Sequence, residues 1–136
     1  MKKRILIVVM SLFTLFPISA SAINKDTLSR MGKEKFNGWF FDRDVQGYNF
    51  FKNGEIVKND WVNDKGKIYY AKADGVIAKN WYQINNNWYY FTSTGILKTG
   101  WLKDGSNWYY LNADGTMAYD TYIGQYRLGS DGVWIG

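Results

Sequence analysis

Three tryptophans, Trp61, Trp81 and Trp101, stand twenty residues apart, and Trp88 and Trp108 each head a Trp-Tyr-Tyr triplet seven residues after the second and third of them. An aromatic ring face is electron-rich, so it attracts a cation without a hydrogen bond and gives a sugar ring a flat surface to stack on. Ring faces repeated at a fixed spacing therefore point to binding rather than to bond-making. The rest of the chemical inventory agrees. The 136-residue chain has no Cys and no His, which removes zinc fingers, Fe–S centres, haem and the Cys-His or Ser-His nucleophile systems. Paired carboxylates for glycoside hydrolysis need two separated environments in a cleft. Asp42 and Asp44 instead sit side by side in a turn, and Asp74 and Asp114 recur as Asp-Gly turn residues. With no glycine-rich phosphate loop and no metal-ligand cluster in the sequence, a non-enzyme without cofactor or metal is expected.

The basic character of the chain is largely that of an export signal. Lys2, Lys3 and Arg4 precede an apolar run from Ile5 to Met10 and on through Leu12 to Phe16, Pro17 breaks it, and Ala20-Ser21-Ala22 supplies the small residues of a cleavage site before Ile23. That is the layout of a secretory signal peptide over 1–22, and its apolar core is short of the ~20 residues that span a bilayer. Removing it takes the formal charge from +5 to +2, with the remaining lysines dispersed, so nucleic acid is not an expected partner. An exported chain without cysteine must be stabilised by something other than disulfides.

The elements that position the rings follow from the repeat. Gly75, Gly95 and Gly115 keep a constant offset of fourteen from the leading tryptophans, giving units Trp61 to Asn80, Trp81 to Gly100 and Trp101 to Asp120. Weaker copies flank them: Gly38-Trp39, Tyr48-Asn49-Phe50-Phe51 and Gly54 upstream, and Tyr126-Arg127-Leu128, Gly132 and Trp134 downstream, with Thr121 where a leading Trp belongs. Within a unit, Trp81 to Ile84 and Asn87-Trp88-Tyr89-Tyr90-Phe91 read as two strands, because aromatics favour strands and Asn85-Asn86 tolerates the positive φ of a tight turn. A lone hairpin buries too little surface to be stable, whereas stacked hairpins bury a continuous core. The expected fold is all-β: a linear solenoid of about five stacked β-hairpins over 38–136 with divergent terminal copies. Residues 23–37 fit no repeat and read as a linker or a short helix capped by Asp26 or Thr27.

The pattern Thr99-Gly100-Trp101, Trp108-Tyr109-Tyr110, Gly115 and Met117 resembles the choline-binding repeats of Gram-positive surface proteins, which are related to glucan-binding and clostridial-toxin cell-binding repeats. The resemblance spans Gly38 to Gly136, and Thr121 to Gly136 looks like the degenerate terminal repeat of such modules. It implies choline sites between successive hairpins, each made by both Trp of one repeat and a Tyr of the next. Carried over, these are Trp81 and Trp88 with Tyr110, and Trp101 and Trp108 with Tyr126, where Arg127 at the second tyrosine position would oppose a cation. Lesser candidates are Trp61 with Tyr90, since Ile68 replaces the second Trp, and Trp39 with Tyr48 and Tyr70. Met117 matches the methionine the family places beside its ligand, with Leu97 and Ile77 as apolar substitutes. The resemblance further implies a secreted protein held non-covalently at the cell surface by choline or phosphocholine of teichoic or lipoteichoic acid. A glucan or other glycan ligand is the alternative, with Asn85, Asn86, Asn87 and Asn107 available beside the rings. A structural or adaptor role, with the repeats forming a homodimer, is the second.

Overall fold

The computed structural model describes residues 37–136. The leader, the Ala22/Ile23 junction and the segment before Asn37 lie outside the described residues. Within them the chain is all strand and turn, folded into five antiparallel hairpins in sequence order. β1 (Gly38–Asp42) pairs with β2 (Gly47–Lys52), to which the short β3 (Glu55–Ile56) adds. β4 (Asp60–Asp64) pairs with β5 (Lys67–Ala71), β6 (Asn80–Ile84) with β7 (Asn87–Phe91), β8 (Gly100–Asp104) with β9 (Asn107–Leu111), and β10 (Thr121–Ile123) with β11 (Tyr126–Leu128).

The turns explain the register. Asn85 and Asn86 both adopt positive φ, 49° and 66°, between the paired residues Ile84 and Asn87. Two such residues match the twist of the flanking strands, and Asn tolerates the conformation. The same two-residue closure sets Asp64 opposite Lys67 and Asp104 opposite Asn107. In the last hairpin the closure comes two residues earlier along the strand, at Gly124-Gln125, so β10 and β11 are shorter. This register also puts Tyr122, not Thr121, in the leading aromatic position: Tyr122 pairs with Arg127 as Trp101 pairs with Tyr110, one residue before Leu128 and Leu111.

Successive hairpins are joined by backbone hydrogen bonds as well as by rings. After each of the last four hairpins a four-residue turn closes on a glycine, as where the Gly115 N–H donates to the Asn112 carbonyl. The exit segment that follows binds on two sides. The Met117 N–H donates to the Trp88 carbonyl of the preceding hairpin and the Ala118 N–H to the Tyr110 carbonyl of its own, at 2.8 Å each. The same stitch recurs for Ile77 on Tyr48, Leu97 on Ile68 and Trp134 on Trp108. Edge groups that would otherwise be unpaired are thus satisfied by the next unit. The core runs along this seam: Phe91, Leu111 and Leu128, equivalent residues of three hairpins, are fully buried.

Candidate functional site

Side chains on a strand alternate between its two faces. In the third hairpin Trp81 is opposite Tyr90 and Gln83 opposite Trp88 on one face, while Tyr82 opposite Tyr89 and Asn80 opposite Phe91 share the other. The tryptophan face of each hairpin meets the other face of the next. Trp39 therefore lies 4.6 Å from Tyr69, Trp61 5.2 Å from Tyr89, Trp81 4.9 Å from Tyr109 and Trp101 5.3 Å from Tyr126, all edge-to-face.

This corrects the tyrosines carried over from the sequence. Tyr110 does not join Trp81; it packs 5.3 Å from Trp101 within its own hairpin. Tyr90 and Tyr70 likewise belong to Trp81 and Trp61 of their own hairpins, at 5.3 and 5.1 Å. The ring that reaches the leading Trp of the preceding hairpin is the first tyrosine of each pair, because alternation turns the second one to the opposite face, where Tyr70 meets Tyr82 of the next hairpin at 5.8 Å. Arg127 follows the same rule. Paired with Tyr122, it falls on the face away from Tyr126 and so away from the Trp101 recess.

Exit residues supply a further wall. Trp101, Trp108, Tyr126 and Trp134 line an open recess of about 410 Å³. Trp134 is 5.7 Å from Tyr126 and stitches to the Trp108 carbonyl. It was not singled out from the sequence, although it stands two residues after Gly132 as Met117 stands two after Gly115. By the same register Met117 is the exit residue of the Trp81, Trp88 and Tyr109 junction, and its thioether is seated against Gly132. Leu97 falls instead in the Trp61 junction, with Ile68 and Tyr89. In that junction Trp61 also reaches Phe91 at 6.1 Å and stays 38% exposed, with Ile68 where the other junctions carry a second Trp. The first junction gathers Trp39, Tyr48, Tyr69 and Ile77 by the same register. A separate recess of about 310 Å³, lined by Gln46, Gly47, Lys72, Val76, Ile77, Lys79 and Tyr82, has no ring cage.

Charge is unevenly placed around these rings. The indole N–H groups of Trp39 and Trp81 donate to Asp64 and Asp104 of the following hairpin, at 2.9 Å each. The ammonium of Lys103 stands over the Trp108 ring, 5.8 Å from its centroid. Burial raises the hydroxyl pKa of Tyr69 and Tyr89 above the usual phenol value, with nearby Asp64 and Asp114 respectively adding to the rise. Both tyrosines thus stay neutral at physiological pH and present uncharged rings.

Stacked hairpins with aromatic junctions, one of them an open recess walled by four rings, have the form of a repeat-type binding module. A family model for the choline-binding repeat matches residues 78–122, and one for a cell wall binding repeat matches residues 59–77. No curated protein sequence matches the chain. Among solved structures, choline-binding protein F from Streptococcus pneumoniae is 29% identical with a TM-score of 0.66, over 74% of this chain and 34% of that one. The choline-binding domain of Spr1274 in Streptococcus pneumoniae is 36% identical, with a TM-score of 0.55, over 59% of this chain and 96% of that one. The pneumococcal cell wall endolysin from phage Cp-1, solved in complex with choline, is 33% identical with a TM-score of 0.51, over 60% of this chain and 24% of that one. The chain belongs to the choline-binding repeat family. It spans about a third of the length of choline-binding protein F.

Proposed function

We propose that this chain is a secreted, non-catalytic protein that attaches non-covalently to the cell wall by taking the trimethylammonium groups of choline-bearing teichoic or lipoteichoic acid into its aromatic cages. The observation that carries the reading is the open recess walled by Trp101, Trp108, Tyr126 and Trp134, four rings with no carboxylate or amide among its lining. A lining of ring faces suits a ligand that cannot donate a hydrogen bond. The junction of Trp81, Trp88 and Tyr109, with Met117 as its exit residue, is the second cage of this design. The Trp61 junction, with Ile68 in place of a second Trp, is structural in this reading.

The magnitudes fit weak single sites on a repetitive polymer. A ring face contributes about 1–2 kcal/mol to a partly desolvated cation, so three or four faces less ordering costs give a dissociation constant on the order of 1 mM. Two cages on one rigid array raise the effective concentration at the second once the first is occupied. The test is retention of the purified protein on an immobilised choline resin. Retention followed by elution with free choline is expected. Folded protein in the flow-through would overturn the reading, and retention on dextran alone would replace choline by a glycan.

A further inference from the structure

Lys103 and Asp104 are consecutive on β8, so alternation sends them to opposite faces of one hairpin and hence to two different cages. Lys103 is on the tryptophan face, opposite Trp108, with its ammonium over that ring. Asp104 is on the face that carries Tyr109 and accepts the Trp81 indole N–H. The residues at the matching positions do not offset these charges. Opposite Trp88, where Lys103 would recur, stands the uncharged Gln83. Across from Trp101, where Asp104 would recur, the last hairpin has already closed at Gly124-Gln125 and offers no carboxylate. The two cages, each with two Trp and a crossing Tyr, are therefore opposite in the charge at their rims.

A carboxylate hydrogen-bonded to an indole pushes electron density into the ring and attracts a cation lying on its face; it also repels an anion tethered to that cation. An ammonium already lying over a ring does the reverse: it opposes a bare cation and pairs with an attached phosphate. Resting on the choline reading above, we propose that the rim charges set by Lys103 and Asp104 make the two cages select differently: the Trp81 cage takes choline as a bare cation, and the Trp101 cage takes zwitterionic phosphocholine, with Lys103 holding the phosphate. On a polymer whose cholines are linked through phosphate, the second cage would then fix the orientation of the chain and the first would act as a less selective grip.

The test is titration of ¹⁵N-labelled protein with choline chloride and, separately, with phosphocholine, following the assigned indole signals of each cage. In the unsubstituted protein, Trp81 and Trp88 should saturate with choline at about two- to fivefold lower concentration than with phosphocholine, and Trp101, Trp108 and Trp134 should show the opposite order. Lys103→Gln should remove the phosphocholine preference of the second cage and leave the first unchanged. Asp104→Asn keeps an acceptor for the Trp81 indole, so the fold is retained, and should weaken choline at the first cage alone. Both preferences should shrink in 0.5 M salt, which a purely structural role would not produce. Equal choline-to-phosphocholine ratios at the two cages, or ratios unmoved by both substitutions, would overturn the inference while leaving choline binding intact. Indole signals that respond to neither ligand would instead overturn the proposed function.

Discussion

Tyr109 and Tyr110 are neighbours of the same type, yet only one crosses the junction. The sequence shows the pair and its period but not the direction in which the stack grows. Alternation alone says that the two point apart, and either could close the cage until the partner face is known. Trp134 marks the last repeat in the sequence but its place in a cage does not show there: it stands two residues after a turn glycine as Met117 does, and the shortened last unit hides this from a strict twenty-residue count. The ring roles separate in an experiment. Trp88 is 43% exposed and lies on the face that meets Tyr109, so Trp88→Ala should lower choline affinity at its cage roughly tenfold with little effect on the urea midpoint. Trp61 packs on Tyr70, Tyr89 and Phe91. Trp61→Ala should leave the choline affinity of the other cages unchanged while destabilising the fold by about 1–2 kcal/mol through the ring contacts it loses.

At the scale of the hairpin, the strands and their tight turns follow from local chemistry: aromatic runs, Asn-Asn and Gly-Ser at the closures, and a fixed glycine after each unit. The exit segments do not, because their hydrogen bonds go to a neighbour twenty or more residues away. β3 repeats the exit segment in a shorter form and stays local, Phe51 opposite Ile56 as Ala71 is opposite Ile77. The turn glycine couples the two levels. Gly115 has φ +87°, and a Cβ there would meet Leu97 of the preceding unit at 2.7 Å. Gly105, at φ +58°, has nothing within 4 Å of that position. Gly105→Ala should therefore cost only the backbone strain, about 1 kcal/mol, and Gly115→Ala a further 1–3 kcal/mol from the clash. Urea denaturation of the two variants side by side measures the difference, and equal losses would show that the seam yields freely at this point.

Across the whole array, one design gives unlike junctions. The Trp39 and Trp81 junctions carry an acidic partner for the indole, the Trp61 junction has Ile68 and Ile84 in place of the second Trp and the acid, and the Trp101 junction is an open recess walled by four rings. The repeat period announced the solenoid, because a twenty-residue unit has no other way to bury its face. The grading of the junctions depends on single departures from the repeat, Ile68 for Trp, Ile84 for Asp and Trp134 for Met, whose effect shows only once the faces are stacked. The central claim is that the open ring-walled junctions hold a trimethylammonium group. A crystal structure of the protein grown in choline tests it most directly. The expected result is ligand density inside the Trp81–Trp88–Tyr109 and Trp101–Trp108–Tyr126–Trp134 cages, with the Trp61 junction unchanged. Empty cages at saturating choline, or choline seated only in the recess lined by Lys72 and Lys79, would contradict it.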